Sequence, residues 1–242
     1  MHFSRGVAVL AVVASSVAGL SAITATSADA TPCTPVVTSR GNFTAQLVNP
    51  PVVAGDVDAT GCDIAVYYGP TFGGVIDDAD VHGSVYYGVF NDGGTVTIKD
   101  SEIRDIGDPP PSGAQHGVAV WFERGAQGSV VDSVIYNYQK AGIVINGSAT
   151  YTHTYADIRG NSITGAGAVD YIAQNGVQVS RGASATIEDN EISDNDYTPK
   201  DTLACGVLYF DADGVRADRN FFRDNERNVC NFGRGGGNTS TA

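Results

Sequence analysis

A parallel β-solenoid is the fold class this 242-residue chain predicts. Three observations carry that expectation. A Gly-Val strand element recurs at near-constant spacing, a second element bearing Ser or Asn recurs between its copies, and both are short Val/Ile/Thr runs separated by Gly, Asn and Asp.

The chain opens on Met1-His2-Phe3-Ser4-Arg5, an apolar run over residues 6–20, and small residues ending Ala28-Asp29-Ala30. This pattern predicts a secretory leader cleaved after Ala30, hence a secreted, extracellular protein. The run is too short to span a bilayer, and no second run follows, so no membrane association is expected after cleavage. Residues 31–58 lack the repeat and are expected to cap the N-terminal end of the stack, covering an edge that would otherwise invite strand addition. Cys33, Cys62, Cys205 and Cys230 are even in number for an exported chain and permit three pairings. The local pairs, Cys33 with Cys62 and Cys205 with Cys230, are expected, one stapling each end of the stack.

The coils are expected over residues 59–232. The first element reads Gly88-Val89-Phe90, Gly117-Val118-Ala119-Val120, Gly142-Ile143-Val144-Ile145, Gly176-Val177-Gln178-Val179 and Gly206-Val207-Leu208-Tyr209, its glycines 29, 25, 34 and 30 residues apart. The second reads Asp100-Ser101-Glu102-Ile103, Asp132-Ser133-Val134-Ile135, Gly160-Asn161-Ser162-Ile163, Asp189-Asn190-Glu191-Ile192 and Arg219-Asn220-Phe221-Phe222, spaced 32, 28, 29 and 30. Helical repeats need apolar residues at helical spacing and few glycines, and propeller blades are longer and antiparallel. Roughly six to seven parallel coils are therefore expected. Side-chain alternation places Val118 and Val120, Ile143 and Ile145, Val177 and Val179, and Val207 and Tyr209 in the core. The row Ser101, Ser133, Asn161, Asn190, Asn220 becomes a hydrogen-bonded ladder at one turn. The tail over residues 233–242 is Gly, Asn, Ser and Thr, and is expected to be disordered.

These paired markers resemble the parallel β-helix repeats of the pectin-lyase-like superfamily. The stretches Gln115-His116-Gly117-Val118, Tyr138-Gln139-Lys140-Ala141-Gly142 and Gln174-Asn175-Gly176-Val177 further resemble secreted bacterial β-helix proteins of unsettled function. The resemblance, with general chirality, implies a right-handed, single-stranded coil. Among the superfamily's enzymes, calcium-dependent lyases cluster acids around the metal beside an arginine base; here Asp77, Asp78 and Asp80 cluster, without an arginine motif. Polygalacturonase-type hydrolases carry Asn-x-Asp, Asp-Asp, Gly-His-Gly and Arg-x-Lys, of which only His116-Gly117 is an echo. The Asp-Pro-His-Asp of mannuronan epimerases is absent. No cofactor or metal ligand set is predicted, with calcium entering only if the protein is a lyase.

Repeat length varies in the segments before the Gly-Val strands, and such insertions commonly form a binding rim. Tyr138, Gln174 and Tyr197 on this rim, with Gln178 and Trp121 on the strands, have the aromatic and amide chemistry that holds sugar rings and hydroxyls. His116 should point inward as a hydrogen-bonded structural residue, in a row with Ala141, Asn175 and Cys205. Lys140 should face outward beside Gln115 and Gln174, where it would serve as a base toward a sugar proton. Trp121, Asn146, Ser180 and Phe210 are expected in one outward row. The net charge of −13 opposes nucleic acid and bare polyuronates as partners. Three readings follow. The first is a monomeric binder of cell-wall or environmental polysaccharide without catalysis. The second is a lyase, epimerase or hydrolase with Lys140, Asp170, Tyr171 and His116 as catalytic candidates. The third is a structural or adhesive surface protein.

Overall fold

A computed structural model describes residues 32–151, 153–233 and 237–240. The expected leader lies outside the described residues, within which no helix is long and apolar enough to cross a membrane. Among the described residues all regular elements are strands, and they wind three to a coil. One coil comprises Tyr87–Asp92, Thr95–Lys99 and Glu102–Ile106, and the next Val118–Glu123, Gln127–Val131 and Val134–Tyr138. Each strand pairs in parallel with its counterpart one coil away, which produces three faces. On the first face, eight parallel strands run from Gly41–Val48 to Arg227–Phe232. The other two faces merge at the long strand Gly73–His82, whose halves pair with Thr95–Lys99 and Glu102–Ile106.

The stack starts earlier than the repeat suggests. Gly41–Val48 and Val52–Asp58 lie in the segment expected as a cap, yet they already pair in parallel with Ile64–Tyr68 and Gly73–His82. Capping falls to Thr34–Thr38, which pairs antiparallel with Gly41–Val48. This hairpin lies against the outside of the first face. Phe43 packs 5.1 Å from Tyr86 and 5.9 Å from Tyr87, and the Tyr67 hydroxyl donates to the Val37 carbonyl. Its tip is held by carboxylates: the Ser39 amide donates to Asp92 at 2.9 Å, the Ser39 hydroxyl to Glu123, and Arg40 pairs with Glu123 at 3.1 Å. The two disulfides join Cys33 to Cys62 and Cys205 to Cys230.

The recurring glycines are explained by close approach. A Cβ at Gly142, Gly176 or Gly206 would sit 2.7, 2.6 or 2.8 Å from a carbonyl oxygen of the next coil. Ala119, not Gly117, occupies this place in its coil, because Val120 pairs with Ile143 and Val118 with Ala141. The alignment on Gly117 is therefore corrected by two residues: Val120 and Phe122 face the core, and Val118 packs in the outer cluster. Gly117 has φ +80° and belongs to the turn that ends the preceding loop, which is why it mimics the marker.

The ladder forms as the sequence predicts. The amide of Ser101 donates to Ser133 Oγ at 3.2 Å, that of Ser133 to Asn161 Oδ1 at 3.0 Å, that of Asn161 to Asn190 Oδ1 at 2.9 Å, and that of Asn190 to Asn220 Oδ1 at 3.1 Å. A second, shorter ladder that the sequence reading missed runs from Asn195 to Asn225 at another turn. Residues 238–240 depart from the disorder expected of the tail. Thr239–Ser240 pairs with Arg216–Asp218, anchored by Asn238, whose side chain accepts from the Val215 amide at 2.9 Å.

Candidate functional site

Register fixes which side chains share the outer surface of the first face. Three rows run across the coils: Tyr87, Val118, Ala141, Asn175, Cys205; then Phe90, Trp121, Val144, Gln178, Leu208; then Asp92, Glu123, Asn146, Ser180, Phe210. The expected row of Trp121 with Asn146, Ser180 and Phe210 is thus corrected, by the same two-residue slip. The hairpin covers the early part of this surface, where Val36 and Phe43 join Tyr67, Tyr87 and Phe90 in an apolar cluster.

Beyond Trp121 the face opens into a groove of about 670 Å³. Asn146, Asn175, Gln178, Ser180, Leu208 and Phe210 supply its strand surface, and Gln115, Tyr171, Ala173, Tyr197 and Leu203 come from the loops. Arg40, Lys140 and Arg181 line it, and among the described residues no carboxylate does. The charged lining is therefore opposite in sign to the net charge of −13 of the chain as a whole. Gln178 accepts from Asn175 Nδ2 at 3.3 Å. Lys140 donates from Nζ to the Ala173 carbonyl at 2.7 Å, and burial pulls its pKa down to about 8. Burial, and then the charge of Asp170, push the Tyr171 phenol upward.

Of the residues singled out in the sequence, the groove brings together Lys140, Tyr171, Trp121, Gln178 and Tyr197. Others are placed elsewhere. Tyr138 is buried, its hydroxyl donating to Asn195 Oδ1 at 2.7 Å. Gln174 is buried too, bonded to the carbonyls of Tyr138 and Gln139 and to the Ala166 amide. Both brace the loop wall from behind and are corrected as contact residues, so Lys140 has Gln115 but not Gln174 as a neighbour in the lining. Asp170 is exposed and outside the lining. His116 is hydrogen-bonded, to Asp108 at 2.8 Å, and its ring lies 4.4 Å from Tyr86. Val118 takes the row position expected for His116, and that row, with Ala141 and Asn175, lies on the outer surface and not inward, which corrects the expected orientation. Trp121 donates to Glu123 at 2.8 Å and carries the Arg40 guanidinium 4.4 Å from its ring centroid, so the hairpin occupies one face of the indole.

Arg40 is one lining residue that sequence reasoning missed, because nothing in the repeat says where a non-repeating hairpin folds. Phe232 was missed for a different reason: its coil lacks the Gly-Val marker, and only counting on from Phe210 by register finds it. Among the described residues, one group of side chains has the spacing of metal ligands, Asp56, Asp80 and His82. It lies on a different strand pair, with Arg104 already 2.7 Å from Asp80.

The coil and its groove define a parallel β-helix protein with a loop-walled surface site. The family model described as the right handed beta helix region matches residues 57–241, and the chain belongs to that family. Comparison with curated proteins gave no match, and comparison with solved structures gave none.

Proposed function

We propose that the protein binds an extended saccharide in the first-face groove, without catalysis, as a secreted monomer acting on cell-wall or environmental polysaccharide. The observation that carries this reading is the lining. Amides on the strands and tyrosines on the loops line one groove, and this combination orients hydroxyls and stacks sugar rings. The three cations and the lack of acids favour a saccharide bearing carboxylate or sulfate groups. The two disulfides support an oxidising, extracytoplasmic compartment.

A glycan array spanning neutral and acidic oligosaccharides tests the reading. Binding weakened by Gln178→Ala and by Tyr197→Ala supports it, and silence across the array sinks it. The competing reading is a lyase or epimerase using Lys140 as base, favoured by the desolvated amine. Ultraviolet-absorbing unsaturated products that vanish in Lys140→Ala would put the lyase in place of plain binding.

A further inference from the structure

The chain contains three lysines, and their surroundings differ in kind. Lys99 lies 2.8 Å from Asp77, and Lys200 pairs with Asp196 and lies 3.7 Å from Glu226. Lys140 has no carboxylate partner among the described residues, although the chain holds 27 acids. Its Nζ is anchored by one hydrogen bond, to the Ala173 carbonyl, and it shares the groove lining with Arg40 and Arg181. Desolvation disfavours an ammonium and favours the neutral amine, the form that attacks carbon. The anchor survives deprotonation, since a neutral amine still donates one N–H to Ala173 while its lone pair is released.

We propose that Lys140 is a covalent site, whose amine condenses with the carbonyl of an aldehyde or ketone ligand seated in the groove to form an imine. The Nζ lone pair bonds to the carbonyl carbon, and the carbonyl electron pair moves to oxygen, which is protonated to give a carbinolamine. Loss of the remaining N–H proton and of the hydroxyl as water leaves the C=N bond. Amine and carbonyl give imine and water, with no oxidant or reductant. The open-chain reducing end of a saccharide is one ligand of this class. The inference shares the groove with the saccharide reading but does not require it. It draws support from the lowered pKa of Lys140, which leaves a sizeable neutral fraction near neutral pH.

The test uses the folded wild-type protein, glycolaldehyde as the probe, and cyanoborohydride to trap the imine as a stable secondary amine. Peptide mass spectrometry then reads the rate at each of the three lysines. Lys140 should be labelled at least about tenfold faster than Lys99 or Lys200, a margin below the difference in neutral fraction because lower basicity also lowers nucleophilicity. Labelling at Lys140 equal to or slower than the other two overturns the proposal. So does a preference that persists in urea-unfolded protein, since it would then owe nothing to the groove. Selective labelling with no glycan bound on the array leaves the covalent site standing and removes the saccharide reading alone.

Discussion

Asn190 offers the sharpest test of what holds the coils in register. Its side-chain oxygen accepts from the Asn161 amide and from Asn161 Nδ2, both at 2.9 Å. Its Nδ2 lies within hydrogen-bond reach of the carbonyls of Ile158 and Glu188, at 3.0 and 2.9 Å, and of Asn220 Oδ1 at 2.9 Å. Asn190→Ala removes all of these in a buried turn. Some partners recover, since Asn220 Oδ1 keeps the Asn190 amide. The Asn161 amide and the Ile158 carbonyl do not. At about 1 kcal/mol per bond lost, and more for buried groups left unpaired, the cost should be roughly 3–5 kcal/mol. Asn190→Ser should cost only about 1–2 kcal/mol. The ladder itself shows why, because Ser133 Oγ accepts from the Ser101 amide and donates to the Val131 carbonyl two residues back. A serine at position 190 can make the corresponding two bonds and loses the reach to Ile158. Denaturant unfolding with the disulfides intact provides the measurement. An alanine variant within 1 kcal/mol of wild type, or a serine variant as damaged as alanine, would refute the reasoning.

Three further outcomes are expected. Glu123→Ala strips the acceptor of Ser39, Arg40, Trp121 and Asn146, and should cost about 2–4 kcal/mol and red-shift the fluorescence of the single tryptophan as the hairpin loosens; unchanged emission would contradict the latch. Gly176→Ala places a Cβ 2.6 Å from both the Gly206 oxygen and Ile192 Cγ2, and should destabilise by roughly 2–4 kcal/mol, with a melting temperature near wild type counting against it. Lys140 is depressed in the fold from 10.5 to about 8, so below pH 8 the folded chain bears the full burden of a desolvated charge. Between about pH 8 and 10.5 the native state sheds that proton while the unfolded chain keeps it. Wild type should therefore gain up to about 3 kcal/mol relative to Lys140→Gln across this window, and a pH-independent difference would show that the amine is not desolvated.

The sequence made the coil legible because two independent markers report the same physical constraint, the stacking of like residues one coil apart. Asn161, Asn190 and Asn220 could be read directly, since a buried turn amide has few alternatives to bonding with its neighbours. Alternation also placed Ile143, Ile145, Val177 and Val179 correctly. It failed at Gly117, where glycine serves a positive-φ turn before the strand rather than the approach of one coil to the next, and one misread glycine displaced Trp121 by a full row. The site was harder still. Tyr138 and Gln174 have the composition of sugar contacts, and only their burial and their bonds to Asn195 and Ala166 show that they brace the wall. Arg40 was beyond reach, because its place depends on a hairpin docking across coils far away in sequence.

That docking also decides where the groove begins. Along the third outer row the residues change from Asp92 and Glu123 to Asn146 and Ser180. The carboxylates stand where the hairpin tip brings Ser39 and Arg40 to meet them, and the neutral amide and hydroxyl stand where the surface is open. Asn146 joins the two regimes, donating to Glu123 at 3.2 Å and accepting from Ser180 at 3.0 Å. A buried carboxylate is tolerable only with its charge answered: Arg40 of the hairpin answers Glu123, and Asp92 takes the Ser39 amide with Arg124 3.7 Å away. Arg40 meets Glu123 and stacks on Trp121, so the residue that closes the latch also contributes a cation to the groove lining. Fold and site are therefore coupled at one point. Loosening the hairpin would withdraw Arg40 and expose Asp92 and Glu123 at the end of the groove, which would weaken the local positive charge that favours an acidic ligand.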